Sequence, residues 1–138
     1  MMRQRACLWQ AAFVQFARWL VISVAAVAAT GCKNSSGSAA DIAERAWDAH
    51  SAVIGFGEAA RTCAEAGAAM QKEIAARREV FVAAVALDND RQKLAEATAW
   101  LEAHEDRYKD LETRMAALSD RCADDGTVQA AFEAMSNP

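Results

Sequence analysis

The sequence lacks the residue patterns that most often indicate an active site. It contains no glycine-rich phosphate loop, no serine in a Gly-x-Ser-x-Gly turn, no convincing carboxylate pair and no Cys-x-x-Cys pair among its four cysteines. Histidine occurs only twice, and Tyr108 stands where a zinc protease motif beginning at His104 would need its second histidine. We therefore expect no enzyme, and we predict no catalytic residue, no metal site and no cofactor.

Basic residues are too few for a nucleic-acid-binding protein. The chain has 15 basic and 19 acidic residues and a formal net charge of −4. Three of the basic residues and none of the acidic ones fall within residues 1–31, so residues 32–138 carry a net charge of −7. Phosphate backbones are bound by clustered lysine and arginine side chains. Nucleic acid is therefore not an expected partner.

An apolar segment near the N-terminus has the layout of an export signal. Arg3, Arg5 and Arg18 supply a positive N-terminal region, and an apolar stretch from Trp19 to Ala29 follows, interrupted only by Ser23. Positive charge, an apolar stretch and small residues at the cleavage site are the three parts of a secretory signal peptide. The alternatives are an uncleaved anchor helix, which would have to bury polar residues upstream, and a freely secreted protein.

The tetrad Ala29-Thr30-Gly31-Cys32 resembles the lipobox of bacterial prolipoproteins, although leucine is more common than alanine at its first position. The resemblance implies cleavage between Gly31 and Cys32 and acylation of Cys32, with palmitate-like chains that hold the protein on a membrane. Several acyl chains are needed for stable anchoring. Lys33, in place of an aspartate, implies sorting to the outer membrane on its periplasmic face. The sequence then divides into a signal peptide (1–31), a lipidated cysteine with a flexible tether (32–38) and a helical domain (39–138).

The helical domain is predicted to begin at a capping box, because Ser38 is followed three residues later by Asp41. From there the apolar residues alternate at spacings of four and three, which is the 3.5-residue repeat of a coiled-coil seam. Arg77 is the one exception along this first seam. Its other members are Ile42, Ala46, Ala49, Val53, Phe56, Ala60, Cys63, Gly67, Met70, Ile74, Phe81 and Ala84.

A run of six polar residues, 88–93, separates this seam from a second one that extends from Leu94 to Cys122 and is out of phase with the first. The run and the change of phase favour a turn, although one continuous helix remains the alternative. Asp88-Asn89-Asp90 resembles the start of a calcium loop, but the rest of the motif fails, so helix capping is preferred. Gly126 is expected to end the second helix, before a short third helix with Val128, Ala131, Phe132 and Met135 on one face.

The predicted fold is therefore all-α: a long antiparallel, coiled-coil-like helical hairpin with a short third helix at its C-terminus, after a cleaved N-terminal signal helix. Cys63 and Cys122 lie on the two seams, and in an oxidising compartment two such cysteines are expected to form a disulfide. Reactive or metal-binding thiols are the alternative. Antiparallel pairing about this disulfide places Gly67 opposite Leu118.

Three apolar residues beside the seams, Trp47, Ile54 and Trp100, are candidates for contact with a partner, because exposed aromatic residues often mark interaction sites. The alternative is that they widen the core, with the third helix covering Trp47 and Ile54. His104 is expected to be a half-buried packing residue near Tyr108 or Phe81, and His50 is expected at the surface.

The expected function is that of a binding or structural module of the bacterial cell envelope, attached to the membrane by lipid and holding a protein partner near it. A second hypothesis is an envelope inhibitor of the immunity or entry-exclusion type, which would block an incoming enzyme or transfer machine. Homo-oligomerisation through the apolar residues beside the seams is a further alternative.

Overall fold

The structure, a computed structural model, describes residues 37–138. The predicted signal peptide, the lipobox with Gly31 and Cys32, and most of the tether lie outside the described residues. Residues 37–138 contain no strand, so the all-α prediction is confirmed for this part of the chain. Its six helices are α1 (Ala39–Ala59), α2 (Cys63–Ala76), α3 (Arg78–Ala86), α4 (Arg91–Ala103), α5 (Glu105–Arg121) and α6 (Gly126–Ser136), with a 3₁₀ turn at Leu87–Asn89 between α3 and α4.

The capping box predicted at the start of α1 is present. The Ser38 hydroxyl accepts a hydrogen bond from the Asp41 amide at 3.1 Å, and the Asp41 carboxylate accepts one from the Ser38 amide at 2.9 Å. Each side chain satisfies a backbone donor that the first turn of a helix leaves unpaired. The beginning of the helical domain is therefore encoded locally.

The first predicted helix does not continue to the polar run. It ends at Ala59, Ala60 adopts an extended conformation, and a second capping box between Thr62 and Glu65 starts α2. The chain turns here, and α1 packs along α2. The segment predicted as one long helix thus contains α1 and α2, which pack against each other. The predicted two-helix hairpin with coiled-coil packing is not confirmed.

Two further interruptions divide longer helical segments. Arg77, the exception in the first seam, separates α2 from α3, and His104 separates α4 from α5. At both junctions the helical hydrogen bonding resumes at once, because the Arg77 carbonyl accepts from Phe81 and the His104 carbonyl accepts from Tyr108. Each junction is therefore a single non-helical residue between two helices and not a loop.

The turn predicted at the polar run is confirmed. The 3₁₀ turn begins one residue before the run, and Asp90 caps α4 by accepting hydrogen bonds from the amides of Gln92 and Lys93, both at 3.1 Å. The aspartate serves as a helix cap, as preferred over the calcium-loop reading.

Helix α1 lies at the centre of the domain and packs against α2, α3, α4 and α5, while α6 packs mainly on α2. Gly57 permits a close approach of α1 to two helices, because a Cβ atom at this position would lie 2.6 Å from Leu118 Cδ2 of α5 and 2.8 Å from Met70 Sδ of α2. Interiors are packed at crystal-like density, so such contacts fix the spacing of helices. The largest fully buried side chains are Phe81, Ile54, Met70, Val53, Val128 and Cys122.

The short C-terminal helix is confirmed as α6, with Val128, Ala131 and Met135 buried. The expectation that Gly126 ends the second helix is wrong, because α5 ends at Arg121 and Gly126 is the first residue of α6, which Asp125 caps. Its first turn rests on Gly67 of α2, where an added Cβ would lie 2.6 Å from the Thr127 carbonyl carbon. The predicted opposition of Gly67 and Leu118 is therefore wrong, because the break after Ala59 changes which helices meet.

Within residues 37–138, every helix is too short or too polar to span a bilayer.

Candidate binding surface

The predicted disulfide is present and joins the start of α2 to the end of α5. Cys63 and Cys122 have a sulfur–sulfur distance of 2.04 Å and a Cα–Cα distance of 5.5 Å, within the usual range. Cys122 is buried and Cys63 is partly exposed. Because neither thiol is free, the thiol chemistry considered as an alternative does not apply to this form of the protein.

Trp47, the first candidate residue for partner contact, is covered from within the chain by α5. Its indole nitrogen donates to the Arg107 carbonyl at 3.2 Å, and the Arg107 guanidinium lies over the indole ring, 4.0 Å from its centroid. The same guanidinium is 3.8 Å from the Asp48 carboxylate. The predicted cover by the third helix is therefore wrong: Arg107 takes that place.

Trp100, the second candidate, is partly exposed and held in a defined orientation. The His104 ring stacks on it with centroids 4.2 Å apart, and Arg107 lies 5.8 Å from the indole centroid. His104 Nδ1 lies 2.7 Å from the Trp100 carbonyl oxygen, while the His104 amide bonds to Leu101. The ring that stacks on His104 is thus Trp100, which the sequence interpretation did not name for this contact.

Ile54, the third candidate, is fully buried in the main apolar cluster, so its prediction as a partner-contacting residue is wrong. His50 is also misplaced by the sequence prediction, since it is only 8 % exposed. Its ring meets Phe81 edge-on at 5.0 Å, and Nδ1 lies 2.7 Å from the Ala46 carbonyl oxygen. Burial lowers the pKa of His50 below its ordinary value, partly opposed by this backbone contact.

A shallow groove lies at the α4–α5 junction, beside the Trp100–His104 stack. It is lined by residues 102–107. Its carboxylates belong to Glu102, Glu105 and Asp106, all exposed, and Glu105 pairs with Lys109 at 2.6 Å. The other two have no basic side chain within ion-pair distance in the described part of the chain. Arg107 also lines the groove, and Asp106 interacts electrostatically with Lys109, so the negative charge of the groove is partly compensated.

Three arginines that the sequence interpretation did not single out attach α5 to α1. Arg107 covers Trp47, Arg114 pairs with Glu58 and also donates to the Ser51 hydroxyl at 3.1 Å, and Arg121 donates to the Gly57 carbonyl at 2.8 Å. The three arginines are seven residues apart, and Trp100 stands seven residues before the first of them. This spacing places the arginines on one face of a helix, and it is the sequence signal that could have identified them.

Two other features of residues 37–138 concern metal binding and exposed apolar side chains. No group of three histidine, cysteine or carboxylate side chains lies close enough to hold a metal ion. The large apolar side chains that are most exposed are Phe56 at 50 %, Val82 at 46 % and Val85 at 40 %.

Comparison with known proteins gives no match: no family model, no curated protein and no solved structure is similar to this chain at a significant level.

Proposed function

We propose that this chain is a lipid-anchored protein of the bacterial cell envelope whose helical domain is a non-enzymatic binding module. The anchor is the acylated Cys32, exposed after removal of residues 1–31. The module faces the periplasm from the outer membrane and holds a protein partner close to the bilayer.

The single observation that carries this proposal is the disulfide between Cys63 and Cys122. Structural disulfides belong to oxidising compartments such as the bacterial periplasm. The bond also uses both cysteines that follow the lipobox, which leaves Cys32 without a partner in a chain cleaved after Gly31. An unpaired cysteine is unusual in an exported protein. Acylation of Cys32 would account for it.

The short tether limits where the partner can be. Six residues, 33–38, separate Cys32 from the first residue of α1. At about 3.5 Å per residue they span at most about 20 Å. A domain held by such a tether meets partners that are themselves in or beside the membrane, at the high effective concentration that tethering gives.

The anchor is tested by the intact mass of full-length protein expressed in a bacterial host and extracted from its membranes. We expect a mass that lacks residues 1–31, includes the acyl groups and is two protons lighter because of the disulfide. Labelling with an alkyne analogue of palmitate should mark the wild type, fail for Cys32→Ser and persist for the matched control Cys7→Ser. Retention of Met1, or two thiols open to alkylation, would contradict the proposal.

The binding role is tested by photo-crosslinking in intact cells, with the crosslinker placed at exposed positions of the helical domain. A defined envelope protein should be captured by the wild type, with much lower yield from Cys32→Ser. Capture of no protein from any face of the domain would contradict a binding module.

A further inference from the structure

We propose that the α3 face, which comprises Val82, Val85 and Ala86, lies on the phospholipid bilayer that holds the anchor. This inference rests on the proposed function, because the acylated Cys32 brings the domain to the membrane. It adds which side of the domain meets the lipid. The contact is apolar, between the α3 face and the upper part of the acyl chains.

Helix α3 has apolar side chains on every side. Residues 80–87 form the longest run without a polar or charged side chain in the part of the chain that the structure describes. A helix that is apolar all round is normally covered all round. Within the domain only the inner side of α3 is covered, where Phe81 is fully buried beside α1. The outer side of the helix therefore needs a cover from outside the domain.

The α3 face is that uncovered outer side. Val82 and Val85 are among the most exposed large apolar residues of the described chain, and Ala86 is exposed as well. Their spacing of i, i+3 and i+4 makes them neighbours on one side of the helix. They form one apolar patch and not three scattered side chains.

Helix α3 runs toward the end of the domain at which the tether enters. Gly57 of α1 lies against Met70 of α2, whereas His50 of α1 lies against Phe81 of α3. As the chain advances from 70 to 81, its contacts on α1 therefore move toward the N-terminus of α1. The residues of α3 that follow Phe81 lie nearer still to the first turns of α1.

The tether brings the bilayer within reach of this face. At about 1.5 Å per helical residue, Ala39 lies about 16 Å from the level of His50, and Val85 lies about 6 Å from that level in the same direction. About 10 Å along the helix axis thus separates Val85 from the point where the tether joins α1. The six-residue tether spans at most about 20 Å. A membrane that holds Cys32 is therefore the nearest large apolar surface.

The charges around the α3 face indicate that lipid charge is not what holds it. The exposed or partly exposed charged residues that flank the apolar run are three basic and three acidic: Arg78, Arg91, Lys93, Glu79, Asp88 and Asp90. Equal numbers of the two signs give little net attraction to an anionic surface. The basic side chains can extend past the apolar residues toward lipid phosphates. Uncharged phosphatidylcholine should therefore support the contact.

The test uses a single fluorescent label at either end of the domain. Cys7 is removed with the signal peptide, Cys32 is acylated, and Cys63 is bonded to Cys122. An introduced cysteine is therefore the one free thiol of the mature protein and can be labelled with nitrobenzoxadiazole.

The two labelled positions are a matched pair of exposed alanines. Ala86→Cys places the label on the α3 face. Ala117→Cys places it on α5, between the arginines that contact Glu58 and Gly57 near the other end of α1. Each mature protein, extracted from bacterial membranes, is incorporated into phosphatidylcholine vesicles that contain a lipid with a doxyl quencher near the head of its acyl chain.

We expect the label at position 86 to emit at shorter wavelength and to lose about half of its emission to the quencher, since apolar helix faces lie roughly 5–10 Å into the bilayer interface. The label at position 117 should lose little. Val82→Ser/Val85→Ser should remove most of the quenching at position 86, whereas Phe56→Ser, at an exposed apolar position near the other end of α1, should leave it unchanged. Circular dichroism checks that each variant is folded.

Three outcomes would overturn the inference while the anchor proposal stands, because the protein still floats with the vesicles. The first is no quenching at position 86. The second is equal quenching at both positions. The third is a shift to shorter wavelength at position 86 without quenching, which would assign the α3 face to a second copy or to another protein. A protein that carries no acyl group and does not float would instead contradict the proposed function, and the inference with it.

Discussion

Arg114 of α5 and Glu58 of α1 form a two-pronged ion pair, with Nε 3.1 Å from Oε1 and Nη2 2.8 Å from Oε2. Fifty-six residues separate the two in sequence. Trp47 contacts Arg107 and Gly57 contacts Arg121, so α1 and α5 run in the same direction, and the ion pair joins them between these contacts. Paired nitrogen–oxygen contacts of this kind are geometrically specific, and lysine cannot reproduce them.

We therefore predict that Arg114→Lys destabilises the domain nearly as much as Arg114→Ala, by about 0.5–1 kcal/mol. The figure is small because both side chains are partly exposed, 27 % for the arginine and 38 % for the glutamate. A double-mutant cycle with Glu58→Gln, measured by denaturant unfolding, isolates the pair from the Ser51 contact. A coupling energy near zero would contradict this prediction.

The glycines of α1 and α2 should differ in how much an alanine substitution costs. At Gly67 the new methyl would meet the Thr127 backbone, which cannot move aside, so Gly67→Ala should cost about 1–3 kcal/mol. At Gly57 it would meet the flexible ends of Leu118 and Met70, and the cost should be smaller.

Gly55→Ala is the matched control for these variants. The nearest atom to its added methyl is Arg114 Nη2 at 3.7 Å, an ordinary contact. Alanine is the better helix former, so this substitution should stabilise by up to about 1 kcal/mol. Thermal unfolding of the three variants ranks them by stability, and we expect Gly55→Ala to be the most stable and Gly67→Ala the least. A Gly67→Ala protein as stable as Gly55→Ala would show that α2 and α6 are not this close.

The features that the sequence predicts correctly are those with local causes. The capping box at Ser38, the turn capped by Asp90 and the short α6 each depend on side chains within a few residues of one another. The break before α2 also has a local signal, the Thr62–Glu65 capping box. It was missed because the apolar 3.5-residue repeat continues through Ala60 and Cys63 without interruption.

The errors at His50 and Ile54 have a tertiary cause. In a two-helix hairpin only one stripe of each helix is covered, and both residues lie off that stripe. Helix α1 instead contacts four other helices, which bury most of its circumference. Partner contact at Trp100 stays a prediction. Arg107, which lies beside both tryptophans, is 60 residues from Trp47, so this link cannot be inferred from spacing on either helix.

The disulfide should provide a large part of the stability of so small a domain. It joins residues separated by 59 positions, and the chain-entropy model gives about 4 kcal/mol for a loop of this size. We predict that Cys63→Ser/Cys122→Ser lowers the free energy of unfolding by about that amount. Reductant should bring the wild type close to the double variant and leave the double variant unchanged. A wild type that is indifferent to reductant would contradict a stabilising role.

His50 should make the domain sensitive to mild acid. Burial lowers its pKa in the folded state below the ordinary 6.5, so below that pH the unfolded chain takes up a proton that the folded domain does not. The contribution of neutral His50 to stability is therefore fully present above about pH 6.5 and is lost as the pH drops through and below that value. The slope is at most about 1.4 kcal/mol per pH unit for one proton.

Denaturant midpoints between pH 7.5 and 5, above the range in which most carboxylates titrate, measure this slope. His50→Gln should flatten it even if it lowers stability at every pH. An unchanged slope in His50→Gln would show that another group is responsible.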